Sequence, residues 1–310
     1  MKRIIYCFAS FFLLTYCTNS TEQNNTFEEA TESIEEEETD QEKEEDREDS
    51  PKPEEDDTSS EDVKPDIEYE TYYRGLEKLT GEALAKGLYE KIKGHKTVTY
   101  RQSYSILMEL DKDPENPENI EGIFSDFSIN AAIKYADGNG WNREHIWAKS
   151  RGDFGNAPGP GTDLHHLRAS DVSTNSARNN RSFDEADEPY FDEDGIAKGE
   201  TGCFTSNNEW IWEPRDERKG DIARMLFYMA IRYEGENGEP DLKLVDYTPG
   251  RGDKSPIHGK LSTLLIWHEA DPVDNKERIR NNLIYDKYQG NRNPFIDHPE
   301  FARMIWGHTF

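Results

Sequence analysis

Apolar residues return at helical intervals over two long stretches of the chain. Leu76, Leu79, Ala83, Leu84, Leu88 and Ile92 keep the three-and-four spacing of one helix face and stop at Gly94. Ile222, Met225, Leu226, Met229, Ala230 and Tyr233 do the same after Asp221, and Gly235 is placed to end that helix. A shorter helix is expected over Tyr104 to Leu110. Others are expected at 259–268, at 274–288 behind Asp274 as N-cap, and at 298–306 behind Asp297. Around Gly122 to Asn130 and again near Trp141 the pattern shortens and predicts strands. Gly152, Gly155, Pro158, Gly159, Pro160 and Gly161 predict a loop over 151–162. The pattern describes one α+β domain over residues 71–310, mostly helical.

The first seventy residues belong to something else. Lys2 and Arg3 precede an apolar run from Ile4 to Leu14. That run is half the ~20 residues a membrane-spanning helix needs, so residues 1–17 read as an export signal. Cys17 follows the run. It is either the lipidated first residue of a mature lipoprotein, despite the bulky Tyr16 before it, or an ordinary residue at a cleaved signal. The chain is therefore expected outside the cytoplasm, anchored at a membrane through Cys17 or else secreted or periplasmic, and monomeric. Residues 18–70 hold 24 Asp and Glu against Lys43, Arg47, Lys52 and Lys64. Such a segment repels itself and has little to bury, which predicts a disordered linker. It serves as a solvated tether or as an acidic decoy for a basic cleft. Cys203 is the one cysteine after Cys17, so neither a disulfide framework nor a cysteine zinc site can be built in the body.

Candidate chemistry gathers in two segments. Trp141-Asn142-Arg143-Glu144-His145-Ile146-Trp147 places an acid, an imidazole and a guanidinium within three residues. Hydrolysis of a phosphodiester needs a base near neutral pH, oxygen ligands for a hard cation, and cationic groups for a polyanion. Glu144, His145 and nearby arginines can supply all three. On an extended strand Glu144 and His145 point to opposite sides, so a bend or the strand end is expected to re-aim one of them. The second segment is Thr162-Asp163-Leu164-His165-His166-Leu167-Arg168, followed by an asparagine-rich helix expected from Ser170. Asn175 offers a carbonyl oxygen to a cation, and Arg178 lies three residues on, on the same helix face. Adjacent His165 and His166 do not share a helix face, and no HExxH spacing occurs, which disfavours a zinc site.

These segments, from Asn142 to Ser150, from Thr162 to Arg168 and from Ser173 to Arg178, resemble the endonuclease I family of ββα-metal (His-Me finger) nucleases. Lys219 to Met229 resembles that family's long helix, and Gln289 to Ile296 its C-terminal signature. The blocks occur in family order. The resemblance implies a ββα-metal finger embedded in the helical domain. It implies His145 as general base and Glu144 and Asn175 as protein ligands of one Mg²⁺, with Ca²⁺ or Mn²⁺ as substitutes. It also implies a substrate of DNA, RNA or both, cut with little sequence preference to leave 5′-phosphates. The finger's strands are either two within 120–147, or the second of these with the hairpin that follows. An arginine is expected to stabilise the phosphate, with Arg168 and Arg178 as catalytic candidates. Arg143, Lys149, Arg151 and His166 are candidates for substrate contact. Ala148 stands where relatives commonly have proline. The stretch after His145 lacks the cysteine-rich insertion from which some relatives take their arginine. The rival readings are a non-catalytic surface lipoprotein that binds polyanions and a phosphodiesterase for small substrates.

Overall fold

A computed structural model describes residues 71–135 and 138–307. The export signal, Cys17, the acidic segment 18–70 and His308 lie outside the described residues.

Helix α1 is Gly81–Ile92 and turns Leu84, Leu88, Tyr89 and Ile92 inward. Helix α2 is Tyr100–Leu110 and starts four residues earlier than its apolar pattern predicts. The reason is Thr99, whose hydroxyl accepts from the Gln102 N–H while the Gln102 side chain accepts from the Thr99 N–H, a capping box. Strands β1 (Asn119–Glu121) and β2 (Ser128–Asn130) pair antiparallel. Strand β3 (Trp141–His145) does not join them. It pairs antiparallel with β4 (Leu167–Asp171), with Glu144 opposite Arg168 and His145 opposite Leu167. The chain passes straight from β4 into helix α3 (Val172–Arg178). This helix starts two residues later than expected, because Ser170 ends in strand pairing and Asp171 serves as N-cap.

Strands β5 (Ser182–Phe183), β6 (Glu188–Asp192), β7 (Gly199–Ser206) and β8 (Ile211–Glu213) form a four-stranded sheet in the order β5-β8-β7-β6. No apolar run announces this sheet. The inward positions of β7 are Thr201, Cys203 and Thr205, small residues that carry little hydropathy signal. Helix α4 (Lys219–Arg232) is buried on every side from Gly220 onward. The short strands β9 (Lys243–Leu244) and β10 (Ile257–His258) pair in parallel. Helix α5 (Leu261–Ala270) follows, and then helix α6 (Asn275–Leu283) with Asp274 in a capping box. The expected helix to 288 is α-helical only to Leu283 and continues as a wider turn over Ile284–Tyr288. Helices α7 (Pro294–Asp297) and α8 (Glu300–Trp306) complete the domain. Asp297 does not cap the last helix. It ends α7 and takes the Arg292 guanidinium at 2.6 Å and the Tyr73 hydroxyl at 2.7 Å. Among the described residues no helix is long and apolar enough to cross a membrane.

The main core surrounds α4. Phe227, Met229 and Leu226 meet Leu264 of α5, Leu84 and Leu88 of α1 and Phe295 of α7. A buried carboxylate sits against this core. Asp163, just before β4, is 1% exposed. Its Oδ2 accepts from the hydroxyls of Tyr228 (2.9 Å) and Tyr233 (2.8 Å), and its Oδ1 from the His165 N–H (3.0 Å) and Gln289 Nε2 (3.1 Å). Burial pushes its carboxyl up. The neighbouring His95, His165 and His166 imidazoles and the hydrogen bonds it accepts outweigh that, so the net direction is downward. Gln289 also accepts from the Leu164 N–H at 2.6 Å, and Asn291 donates to Tyr228. The C-terminal Gln-Gly-Asn-Arg-Asn segment is thus a brace that holds the start of β4 to α4.

Two outcomes follow for stability. Asp163→Ala orphans two buried hydroxyls and an amide, and a loss of about 3–5 kcal/mol in urea unfolding is expected. Burial lowers the His165 and His166 pKa values to about 4. The unfolded chain binds those protons first, from about pH 6.5 downward. Stability from these groups is therefore complete above that pH and is lost as pH falls toward 4. A urea midpoint that stays flat between pH 6.5 and 4.5 would exclude buried neutral imidazoles.

Candidate functional site

The two sides of β3 do different things. Trp141, Arg143 and His145 turn toward α2. Trp141 meets the Tyr104 ring edge-on at 5.0 Å, and the Arg143 guanidinium lies 3.3 Å from the centroid of Tyr100 and 3.9 Å from that of Tyr104. His145 stacks on Tyr100 with centroids 6.0 Å apart. Asn142 and Glu144 turn toward α3. Asn175 Nδ2 donates to Asn142 Oδ1 at 2.8 Å and to the Arg143 carbonyl at 3.4 Å. Arg178 Nη1 donates to Glu144 Oε1 at 2.9 Å. Glu144 and His145 thus leave the strand on opposite sides, and no bend re-aims either.

The hydrogen bonds set the chemical state of each group. A backbone carbonyl can only accept, so Arg143 O requires the nitrogen of the Asn175 amide to face it. The Oδ1 of Asn175 is thereby turned to the other side. His145 Nε2 lies 2.9 Å from Gly161 O, which assigns the ring proton to Nε2 and leaves Nδ1 as a lone-pair base. Burial lowers the His145 pKa well below its usual value. The nearby His166, Lys149 and Arg143 add to this against the Gly161 carbonyl, so His145 is neutral at pH 7. Glu144 is 2% exposed, and burial pushes its carboxyl up to about 7 even with Arg178 beside it. One guanidinium does not balance this carboxylate, because Arg178 also serves the carbonyls of His145 (2.9 Å) and Ile146 (2.7 Å).

Several expected site residues are engaged elsewhere. Arg151 was expected at the substrate but is fully buried, and it donates to the carbonyls of Asn180, Pro249 and Asp253. A polyanion cannot reach it. His166 was expected there too, yet both ring nitrogens are used, Nε2 on Pro160 O at 2.7 Å and Nδ1 accepting from the Trp147 N–H at 3.3 Å. Arg168 stands opposite Glu144 in register, but its Nε donates to Asp111 at 2.8 Å and its Nη1 lies 3.8 Å from Asp221. A cavity of about 360 Å³ opens beside Arg168, lined by Asp111, Asp221, Glu277 and Arg280. Glu144, His145 and Asn175 do not line it. Arg143 and Lys149 remain close enough to His145 to lower its pKa. Lys149 is half-buried and donates to Asn156 at 3.3 Å. Three residues of this constellation were not anticipated: Asn142, Tyr100 and Gly161. Asn142 was accessible from period-two alternation with Glu144. The other two come from distant segments.

Among the described residues no group of three or more His, Cys, Asp or Glu is placed to hold a metal. The donors available at β3 and α3 are one carboxylate and amide oxygens. These are hard donors that suit a cation retaining much of its water, as Mg²⁺ does.

A family model described as Endonuclease I matches residues 80–300. The extracellular ribonuclease of Bacillus subtilis (strain 168) is 50% identical over 242 residues, covering 78% of this chain and 80% of that protein. The extracellular ribonuclease of Bacillus amyloliquefaciens is 49% identical over 249 residues, covering 80% of this chain and 82% of that protein. Endonuclease-1 of Buchnera aphidicola subsp. Baizongia pistaciae (strain Bp) is 28% identical over 138 residues, 44% of this chain and 46% of that protein.

The Glu144–Arg178 pair generates a thermodynamic test. Arg178→Leu leaves a buried carboxylate alone and is expected to cost about 3–5 kcal/mol in urea unfolding. Adding Glu144→Leu should restore part of that loss. A double variant no more stable than Arg178→Leu would show that the two side chains are not coupled.

Proposed function

The chain belongs to the endonuclease I family and is a nuclease, and on that premise we propose that it is an exported endonuclease that hydrolyses RNA and DNA with a single divalent cation. In this reading β3, β4 and α3 are the ββα-metal finger, and His145 is the general base. The observation that carries it is the pairing of a neutral imidazole, locked with Nδ1 unprotonated, with a buried carboxylate that one arginine does not balance. Export follows the names of the two Bacillus relatives, and a lipid anchor on Cys17 is part of the proposal.

Glu144 and the Oδ1 of Asn175 would hold the cation, Mg²⁺ by preference. When bound, it would neutralise charge on the phosphate and on the leaving 3′ oxygen. The residues of the chain do the rest. Asn142 and the Arg143 carbonyl fix the Asn175 amide. Arg178 positions Glu144 and ties down the carbonyls of His145 and Ile146, so that base and ligand share one support. Nδ1 of His145 accepts the proton of the attacking water, and the Gly161 carbonyl stabilises the imidazolium that forms. Arg143 and Lys149 supply positive charge on the His145 side of the strand, where the phosphodiester must reach around the end of β3. Arg168 pairs with Asp111, which it shares with Arg280, and this reading gives it no role at the phosphate. The product would carry a 5′-phosphate.

His145→Ala is expected to lower cleavage of plasmid DNA and of RNA by roughly 10²–10⁴-fold with an unchanged circular dichroism spectrum. Retention of near-wild-type turnover would remove His145 as base. A second outcome concerns pH. With Glu144 near 7 in the free enzyme, protons compete with the cation. The acid limb of the rate profile should lie near pH 7 at limiting Mg²⁺ and move to lower pH at saturating Mg²⁺. A limb indifferent to Mg²⁺ concentration would take Glu144 out of the ligand set.

A further inference from the structure

We propose that Asp171 and Asp192 hold a calcium ion, at a second cation site separate from Glu144 and Asn175. Asp171 ends β4 and caps α3, and Asp192 ends β6. The two carboxylates are 0% and 3% exposed. Among the described residues neither makes an ion pair with a lysine or arginine. Both oxygens of Asp171 accept hydrogen bonds, Oδ1 from the Ile196 N–H at 3.3 Å and Oδ2 from the Thr174 N–H and hydroxyl at 3.4 and 3.1 Å, whereas Asp192 is held at Oδ1 alone, by the N–H groups of Asp194 and Gly195 at 3.4 and 3.3 Å. Asp192 Oδ2 is buried with no hydrogen-bond partner. A side chain at Gly195 would collide at once with Asp192 Oδ2, Asp171 Oδ2 and Ser173 Oγ, so these three oxygens converge on one place that only a glycine leaves open.

Ser173 Oγ lies 2.6 Å from Asp171 Oδ2 and 2.7 Å from Asp192 Oδ1. Its hydroxyl has one proton and can satisfy one of them. The remaining oxygen–oxygen contact, next to an orphaned buried carboxylate oxygen, calls either for a proton shared by the two carboxyls or for a cation. The cation is the choice proposed, and calcium binding is what separates the two; a buried unpaired carboxylate is otherwise costly. The donors are all hard oxygens, and calcium takes about six to eight of these in flexible arrangements. Two carboxylates and a hydroxyl leave room for water. The small ligand charge places the affinity in the range of extracellular calcium modules, roughly 10⁻⁴–10⁻³ M. That range suits an exported chain. The ion would tie the end of β4 and the first turn of α3 to β6, and so hold the helix that carries Asn175 and Arg178.

The test uses full-length Glu144→Gln protein, so that the proposed catalytic cation does not contribute, and it reads no activity. Equilibrium dialysis against radioactive calcium is expected to find one ion per chain at 5 mM. Calcium at 10 mM is expected to raise the melting temperature by roughly 3–7 °C over chelator-treated protein. Tyr190 lies two residues from Asp192 with Trp212 5.0 Å away, so bound terbium should emit on excitation at 280 nm and calcium should quench it. Asp192→Asn should abolish all three signals. No calcium bound to Glu144→Gln protein at 5 mM overturns the proposal, and so does binding that survives Asp192→Asn. If Asp192→Asn does not fold, the stoichiometry of the Glu144→Gln protein decides alone. Failure here leaves the Glu144–Asn175 reading intact, because that reading is tested by catalysis.

Discussion

The buried carboxylate of Asp163 is the constraint on which the placement of the site depends. It joins Tyr228 of α4, Tyr233 at that helix's end, the backbone of His165 and the side chain of Gln289 at one point. The segment it anchors runs directly into β4. Strand β4 carries β3 by antiparallel pairing and leads into α3 through the Asp171 cap. Glu144, His145, Asn175 and Arg178 therefore take their positions, at one remove, from a group far from any of the proposed chemistry. Such a hub is unforgiving, since removing one partner strands several polar atoms in an apolar interior.

A second theme is what the arginines do. A nuclease sequence rich in arginine near its motifs suggests a basic cleft. In the fold most of that charge is turned inward. Arg151, Arg178 and Arg280 bind backbone carbonyls, and Arg168, Arg218 and Arg224 pair with Asp111, Asp221 and Glu277. A planar guanidinium with five donors can satisfy several carbonyls where strands end without ladder partners. These residues shape the loops around β3. The positive charge near His145 comes from a few neighbours, Lys149 and Arg143 among them. Part of the domain's acidity is taken up in the same pairs, Asp111, Asp221 and Glu277 among them.

The long helices were legible because each buries one face or, for α4, every face, and apolar spacing records that directly. Their ends were less so. Thr99 capped α2 outside its apolar stretch, and Asp297 was taken up by Arg292 and Tyr73 instead of capping α8. The four-stranded sheet was missed because β7 buries Thr201, Cys203 and Thr205, which look like surface residues in hydropathy. Arg151 and His166 sit inside the motif blocks, and nearness in sequence made them candidates for substrate contact. The Arg151 partners Asn180, Pro249 and Asp253 lie 29 to 102 residues away, and the His166 partners, Pro160 and the Trp147 N–H, come from the loop and strand around it.

The residues themselves determined the chemistry on offer: a histidine beside a glutamate, an asparagine-rich helix with an arginine one turn on, and ordered blocks that mark the family. Strand alternation sets Glu144 and His145 on opposite sides, and the expectation that a bend re-aims one of them is not met in the fold. Tertiary structure alone decided how that divergence is used. It placed β4 beside β3, brought Arg178 to Glu144, set the Gly161 carbonyl against His145 Nε2, and so left Nδ1 as the base. The physical reason is that protonation state and ligand orientation are set by partners and burial. Those partners lie up to 34 residues apart along the chain for the Glu144–Arg178 pair, a separation at which local pattern carries no information.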